Sequence, residues 1–278
     1  MNFSVVVPLY NKEYAVERCL NSILAQTKQP LEIIVVNDGS SDGSFDIVKS
    51  KYQKEIEQNI IRVFDQANKG VSAARNLGIQ QSSSEYICLL DADDEWLPDF
   101  LKTMSLLVER CPEANLYCLA HRVSKRGNRL YKPKHGLPES HQGYIDDFFK
   151  ASTKGNVVNS SKVCIRKQAI VEFGGFPEGI VAGEDIFVWI MLALNGKVAC
   201  DMKYLAVIHS EEDSSRSARK LSIPYPFVFF SKNKAMLDSN SLNRYLFTIF
   251  YQHFLHSLLS LKSKEAALRL KWYIRMYI

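Results

Sequence analysis

Apolar positions in the first third of the chain fall in short unbroken runs separated by stretches of helical spacing. Phe3-Ser4-Val5-Val6-Val7, Glu32 to Val36, Ile60 to Phe64 and Tyr86 to Leu90 are brief and rich in β-branched residues, the pattern of strands covered on both faces. Pro8 is expected to stop the first of them. Between them Val16, Leu20, Ile23 and Leu24 recur every three or four residues, and two further helices are expected over about Phe45 to Tyr52 and Ala73 to Ile79. Such alternation predicts parallel βαβ units in a doubly wound α/β sheet. Beyond Trp96 the pattern predicts a helix from Pro98 to Arg110, a strand over Asn115 to His121 and a long polar surface loop, a candidate lid, from Lys125 to Gly143. A strand at Val163-Cys164-Ile165, a helix over Ile186 to Leu194 ended by Asn195-Gly196, and strands at Val198 to Cys200 and Tyr204 to Ile208 follow. After the polar run Ser210 to Arg219 the chain turns helical and aromatic-rich from Pro224. The expected division is therefore an α/β domain over 1–210 and a helical extension over 211–278.

The fourth strand ends abruptly in Asp91-Ala92-Asp93-Asp94-Glu95. Several carboxylates at the end of a buried strand are costly unless a cation or ligand neutralises them. Hard divalent ions favour such oxygen clusters, above all when substrate phosphates complete the shell, so the run points to a metal–phosphate site using Mg²⁺ or Mn²⁺. In doubly wound sheets ligands bind beyond the carboxyl ends of the strands. All four strands carry polar residues there: Tyr10 and Asn11, Asp38, Asn68, and Asp91 with Asp93. No G-x-G-x-x-G follows the first strand and no G-x-x-x-x-G-K-[ST] occurs, which disfavours dinucleotide oxidoreductases and removes P-loop chemistry.

Composition changes the picture in two places. The chain is 278 residues and 46% hydrophobic, enough for a substantial core, and its net charge is +5. Eight Lys or Arg against two acids lie between Lys232 and Ile278, so the excess sits in the tail. An acidic partner, either a membrane surface or nucleic acid, or a plain solvated helix face would each suit it. Leu246, Phe250, Phe254, Leu258 and Leu261 recur there at near-helical spacing, a stripe fit for a membrane interface, a domain contact or a homodimer. The six scattered cysteines read as reduced, buried thiols of a cytosolic protein. No signal peptide and no uninterrupted transmembrane stretch is visible.

Five segments together closely resemble family 2 glycosyltransferases: Val5-Val6-Val7-Pro8-Leu9-Tyr10-Asn11, Val35-Val36-Asn37-Asp38-Gly39-Ser40-Ser41-Asp42-Gly43-Ser44, Asn68-Lys69-Gly70-Val71-Ser72-Ala73-Ala74-Arg75-Asn76, Leu90-Asp91-Ala92-Asp93-Asp94 and Gly183-Glu184-Asp185. They run in family order from about Met1 to His209. The resemblance implies a GT-A (Rossmann-like), mostly parallel central sheet flanked by helices. It further implies inverting, nonprocessive, metal-assisted transfer of a sugar from a nucleotide-sugar, usually a UDP-sugar, to an acceptor hydroxyl in bacterial surface glycan synthesis. On it, Pro8, Tyr10 and Asn11 border the nucleotide, with Tyr10 against the base. Asp38 accepts from the base, and Asn68, Lys69 and Arg75 cover the nucleotide and its diphosphate. Asp91 and Asp93 match the D-x-D motif, Asp91 towards the ribose and Asp93 as metal ligand, with His209 a second candidate ligand. Glu184-Asp185 match the acidic pair that supplies the general base, Asp185 taking the acceptor proton and Glu184 orienting.

Where relatives often carry an acid and an arginine beyond that pair, this chain has Phe187 and Met191. The Gln-x-x-Arg-Trp motif of processive synthases is absent. A glycan or lipid-linked glycan acceptor is implied, nucleic acid is not, and the expected place is the cytoplasm or the inner face of the cell membrane. A nucleotidyltransferase of similar fold and a non-catalytic nucleotide-sugar-binding protein are the alternatives. Asp38 and Asp42 also read as turn and capping residues, and Glu184-Asp185 as acids favoured by a helix N-terminus.

Overall fold

A computed structural model describes residues 1–125, 129–155, 157–210, 222–259 and 263–277. Its strands are β1 (Phe3–Leu9), β2 (Glu32–Asp38), β3 (Ile61–Gln66), β4 (Tyr86–Leu89), β5 (Glu95–Trp96), β6 (Ala114–Lys125), β7 (Arg129–Tyr131), β8 (Gln142–Tyr144), β9 (Val163–Arg166) and β10 (Lys197–His209). The helices are α1 (Val16–Leu24), α2 (Ser44–Lys51), α3 (Gln53–Glu57), α4 (Val71–Gln81), α5 (Phe100–Arg110), α6 (Phe148–Ser152), α7 (Lys167–Glu172), α8 (Glu184–Leu194), α9 (Tyr225–Lys232), α10 (Asn240–Leu259) and α11 (Ser263–Tyr277).

One sheet runs in the order β3-β2-β1-β4-β9-β6-β10-β5, with β7 on β6 and β8 on β10. β3, β2, β1 and β4 are mutually parallel, as the βαβ pattern requires. β9 then enters antiparallel between β4 and β6, so the sheet is mixed beyond the fourth strand. Alternate side chains of each strand leave on opposite faces. Val5, Val7, Ile33 and Val35 pack with α1 and α5, while Val6, Ile34, Ile87 and Leu89 pack on the other face with residues of α4 and α8. Both faces being covered is why these strands read as continuous apolar runs.

Several expectations need correction. β1 passes through Pro8 to Leu9, because its last rung with β4 is Val6 opposite Leu89 and Pro8 lies beyond it, paired only with Val36 of β2. β10 is one strand where two were expected. Its register shifts between Asp201 and Tyr204, where Asp201 Oδ1 accepts the Lys203 N–H, and that polar irregularity interrupts the apolar pattern. The Lys125–Gly143 loop contains β7 and opens β8. All six cysteines are buried thiols.

The C-terminal helices join the same core as the α8 face of the sheet through Phe227, Phe230, Leu242, Leu246, Ile249, Phe250 and Met276. Leu246 and Phe250 of the predicted amphipathic stripe thus face inward, with Phe254 half-buried beside them. The Leu258 side chain, Leu261 and all but the first residue of the Ser210–Arg219 run lie outside the described residues. Phe187 packs against Tyr225 at 5.0 Å and Phe229 at 4.8 Å between ring centroids. Phe187 and Met191, the departures from the family pattern, are buried in the face that receives α9.

At Gly78, α4 comes so close to β1 that an added Cβ would lie 2.3 Å from Val6 Cγ1. Alanine in a helix normally gains up to about 1 kcal/mol over glycine, but overpacking costs about 1–3 kcal/mol. Gly78→Ala is therefore expected to destabilise by about 1–2 kcal/mol in urea unfolding. Combined with Val6→Ala it should cost less than the two changes separately, because the second removes the methyl that the first strikes.

Candidate active site

Because β1 to β4 run parallel, their carboxyl ends open onto one edge, and the loops that follow bring the polar residues together there. The β1 loop is shaped by Asn11, whose φ of +50° is unusual for a residue other than glycine. Its N–H donates to Ser40 Oγ at 3.1 Å, and its Oδ1 accepts the Ser41 N–H at 2.8 Å. This bond pair joins the β1 and β2 loops and leaves Tyr10 beside them 47% exposed, available for stacking and not a core residue. Asp42 performs the turn chemistry expected of this segment: Oδ1 accepts the Ser44 N–H and Oδ2 the Glu13 N–H.

Asp38 is different. Buried at the end of β2, it accepts from the Lys69 N–H at 2.8 Å, the Gly70 N–H at 2.9 Å and Gln66 Nε2 at 2.7 Å. It therefore fixes the entry to α4, while the side chains of Asn68 and Lys69 stand exposed. One turn into α4, Arg75 is buried and donates to Asp91 Oδ1 at 2.7 Å, with its other terminal nitrogen 4.0 Å from Glu184 Oε1. Its guanidinium lies 5.2 Å from the centre of the Phe176 ring. Burial by itself would lower the Arg75 pKa. Asp91, then Asp185 and Glu184, outweigh that and raise it.

The three aspartates after β4 have three different surroundings. Asp91 is 35% exposed and held by Arg75. Asp93 is 18% exposed and accepts from Lys12 Nζ at 2.8 Å, while its carbonyl accepts from Arg18 at 2.6 Å. Asp94 turns inward, accepting the Ser161 hydroxyl and, at 2.8 Å, the His209 N–H. Burial pushes the Asp94 carboxyl well above the usual carboxylate range, and Asp93 and Asp91 push the same way. Asp94 thus clamps the acidic loop to the end of β10, and Asp91 and Asp93 face the open edge. The His209 ring lies at the same place, with Nε2 2.9 Å from Glu95 Oε1.

Across Arg75, Gly183 enters α8 with φ +77°, in the left-handed region, and its Cα passes so close to Pro224 that a Cβ would lie 3.0 Å away. The turn sets Glu184 and Asp185 at the helix N-terminus, where the macrodipole favours ionised carboxylates. Glu184 is buried; Asp185 is half-buried, and its Oδ1 accepts the Ile186 N–H at 2.7 Å. Asn76 supports this side by bonding Phe176 through both its amide atoms, at 2.8 Å each.

Among the described residues no three His, Cys, Asp or Glu side chains are arranged to hold a metal ion. Hard divalent ions do not require such a trio. Such ions use one or two carboxylates and take the remaining oxygens from phosphates and water, and the Lys12 ammonium shows that the Asp93 carboxylate accepts a cation. Sequence reasoning missed Lys12, Arg18 and Ser161, and took Glu95 only as the last acid of the run after β4. Lys12 had a signal, being a cation in the loop of Tyr10 and Asn11. Ser161 had none, since only folding brings it to Asp94.

A model of "Glycosyl transferase family 2" matches residues 4–173. An uncharacterized glycosyltransferase YibD of Escherichia coli is 43% identical over 101 residues, covering 36% of this chain and 28% of that protein. Glycosyltransferase GlyA of Streptococcus pneumoniae is 42% identical over 36% of this chain and 14% of its own. An uncharacterized glycosyltransferase of Rickettsia bellii is 28% identical over 76% of this chain and 29% of its own. The chain thus spans less than a third of each of these relatives. Among solved structures, residues 1–349 of Staphylococcus aureus TarS in complex with UDP-GlcNAc superpose with a TM-score of 0.79 at 20% identity, covering 100% of this chain and 82% of that one. At that identity the likeness is one of fold, and the fold is the GT-A sheet described above. With a family model matching more than half of its length, this protein belongs to glycosyl transferase family 2.

Proposed function

We propose that this chain transfers a sugar from a nucleotide-sugar, of the UDP class, to an acceptor hydroxyl with inversion, one sugar per encounter, in building a bacterial surface glycan. The observation that carries the reading is Arg75, buried between Asp91 at the end of β4 and Glu184 at the head of α8. It divides the edge into a donor side, with Tyr10, Asp38, Asp91 and Asp93, and an acceptor side with Glu184 and Asp185. TarS, of the same fold, is seen with UDP-GlcNAc and with UDP, which supports a UDP-sugar donor.

On this reading the acceptor oxygen attacks the anomeric carbon from the Asp185 side. The new C–O bond forms as the bond to the diphosphate breaks, and its electron pair leaves with the nucleoside diphosphate. Asp185 takes the acceptor proton, and Glu184, anchored near Arg75, orients the acceptor. Tyr10 offers an exposed ring to the base, and Asp38 keeps the Lys69–Gly70 backbone in place around the nucleotide. Asp93 would hold Mg²⁺ or Mn²⁺, with His209 as second candidate ligand, and the ion would neutralise charge on the diphosphate. With an ion held there, Lys12 would give up Asp93 and its ammonium would be free to face the phosphates.

Asp185→Asn should lower nucleoside diphosphate release in the presence of acceptor by about 10²–10⁴-fold while preserving the thermal shift caused by the nucleotide-sugar. Loss of that shift would argue against a base. Asp93→Ala should abolish the Mn²⁺-dependent part of the shift and of turnover; unchanged turnover would remove Asp93 from the metal site. A shift without release from any donor, acceptors supplied, would indicate a binding protein.

Lys12→Met removes the ammonium that competes for Asp93. It should lower the Mn²⁺ concentration for half-maximal thermal shift by about two- to fivefold, the worth of a partly exposed ion pair, and weaken nucleoside diphosphate binding.

A further inference from the structure

With Leu246 and Phe250 turned into the core, a second apolar stripe of α10 is left outside. Phe247, Tyr251 and Leu255 recur every four residues and are 46%, 51% and 39% exposed. α11 packs beside it through Tyr273, whose ring lies 5.8 Å from Phe247, and adds Leu268, Leu270, Ile274 and Tyr277, each more than 40% exposed. Tyr277 bonds Asn243 Oδ1 at 3.1 Å, which ties the two helices along their length. Arg244, Lys271 and Arg275 are exposed on the same helices, and no described acidic residue on them is exposed. Among the described residues the two helices therefore present apolar and aromatic side chains together with exposed cations and no exposed acid. A solvated face would interleave both charges.

We propose that the outer face of α10 and α11 docks on an anionic phospholipid bilayer, lying in the interface plane. Charge complementarity selects this occupant. Interfacial helices combine an apolar face with flanking Lys and Arg, and no described helix is long and apolar enough to cross the membrane. The half-buried Trp272 ring of α11, with the Arg275 guanidinium 5.3 Å from its centre, is a side chain of the kind that favours the headgroup layer. The inner face of α10 reaches the acceptor side of the site. Tyr245 packs on Phe148 and Phe149 of α6, and Asp185 lies near enough to add to the rise that burial causes in the Tyr245 pKa. One helix thus has the candidate base beneath it and the bilayer above it, the arrangement suited to an acceptor carried on a lipid. The docking surface stands without the transfer reaction; only this bearing on the acceptor rests on that reading.

The test is co-sedimentation of the full chain with vesicles of phosphatidylglycerol and phosphatidylcholine against phosphatidylcholine alone, together with quenching by brominated lipid. The chain has three tryptophans, and Trp96 and Trp189 are buried, so quenching reports on Trp272. Binding to the anionic vesicles, released by salt, with Trp272 quenched, is expected. Arg244→Gln with Lys271→Gln and Arg275→Gln should weaken it on the order of a hundredfold and leave the nucleotide-sugar thermal shift unchanged. Should that variant not fold, the salt dependence and quenching of the unaltered chain decide. Equal binding to neutral vesicles, absence of binding, or a dimer in sedimentation that Phe247→Ser with Tyr251→Ser dissolves would each overturn the proposal.

Discussion

A guanidinium buried among carboxylates is the interaction on which the open edge of this sheet depends. Asp91, Asp93, Asp94, Glu184 and Asp185 are gathered at the ends of β4 and α8, and so many acids in one place repel each other in a medium poorer than water at screening them. Arg75 offsets the charge at the centre by bonding Asp91 and approaching Glu184. The price is a buried cation, which burial alone would disfavour and which the acids on either side sustain. Removing Arg75 would leave two acid groups facing each other.

The other acids are answered locally and by different means. Lys12 meets Asp93 with a full charge, whereas Asp94 is met by a hydroxyl and a backbone N–H. That difference gives adjacent aspartates different surroundings. A carboxylate held by an ammonium at the open edge can exchange it for another cation, but one folded inward against Ser161 and β10 serves the framework. Asp38 likewise spends its oxygens on the chain entering α4, so that a contact with a nucleotide would be made around a residue already holding the loop. In each case one carboxylate both stabilises a loop and shapes the surface a ligand would meet.

The C-terminal helices extend this logic to the head of α8. Phe187 and Met191 stand where polar residues are common in relatives, and both are buried in the face that receives α9. Gly183, at the start of α8, is confined by Pro224 just before that helix. The helices are thus part of what shapes the head of α8, and Arg244, Lys271 and Arg275 stand exposed on α10 and α11.

Much of this was legible from residue order. The alternation of apolar runs and helical spacing determined β1 to β4 with α1 and α4, because strands covered on both faces leave few alternatives to an apolar run. Parallel pairing then required Tyr10, Asn11, Asp38, Asn68, Asp91 and Asp93 to share one edge. Folding decided what no local pattern encodes. It placed Lys12 on Asp93 across 81 residues and Ser161 on Asp94 across 67, and decided for Leu246 and Phe250 of the α10 stripe that they pack inward. Two apolar stripes on one helix look alike in sequence, and only the neighbour that buries the first shows which is left for another surface.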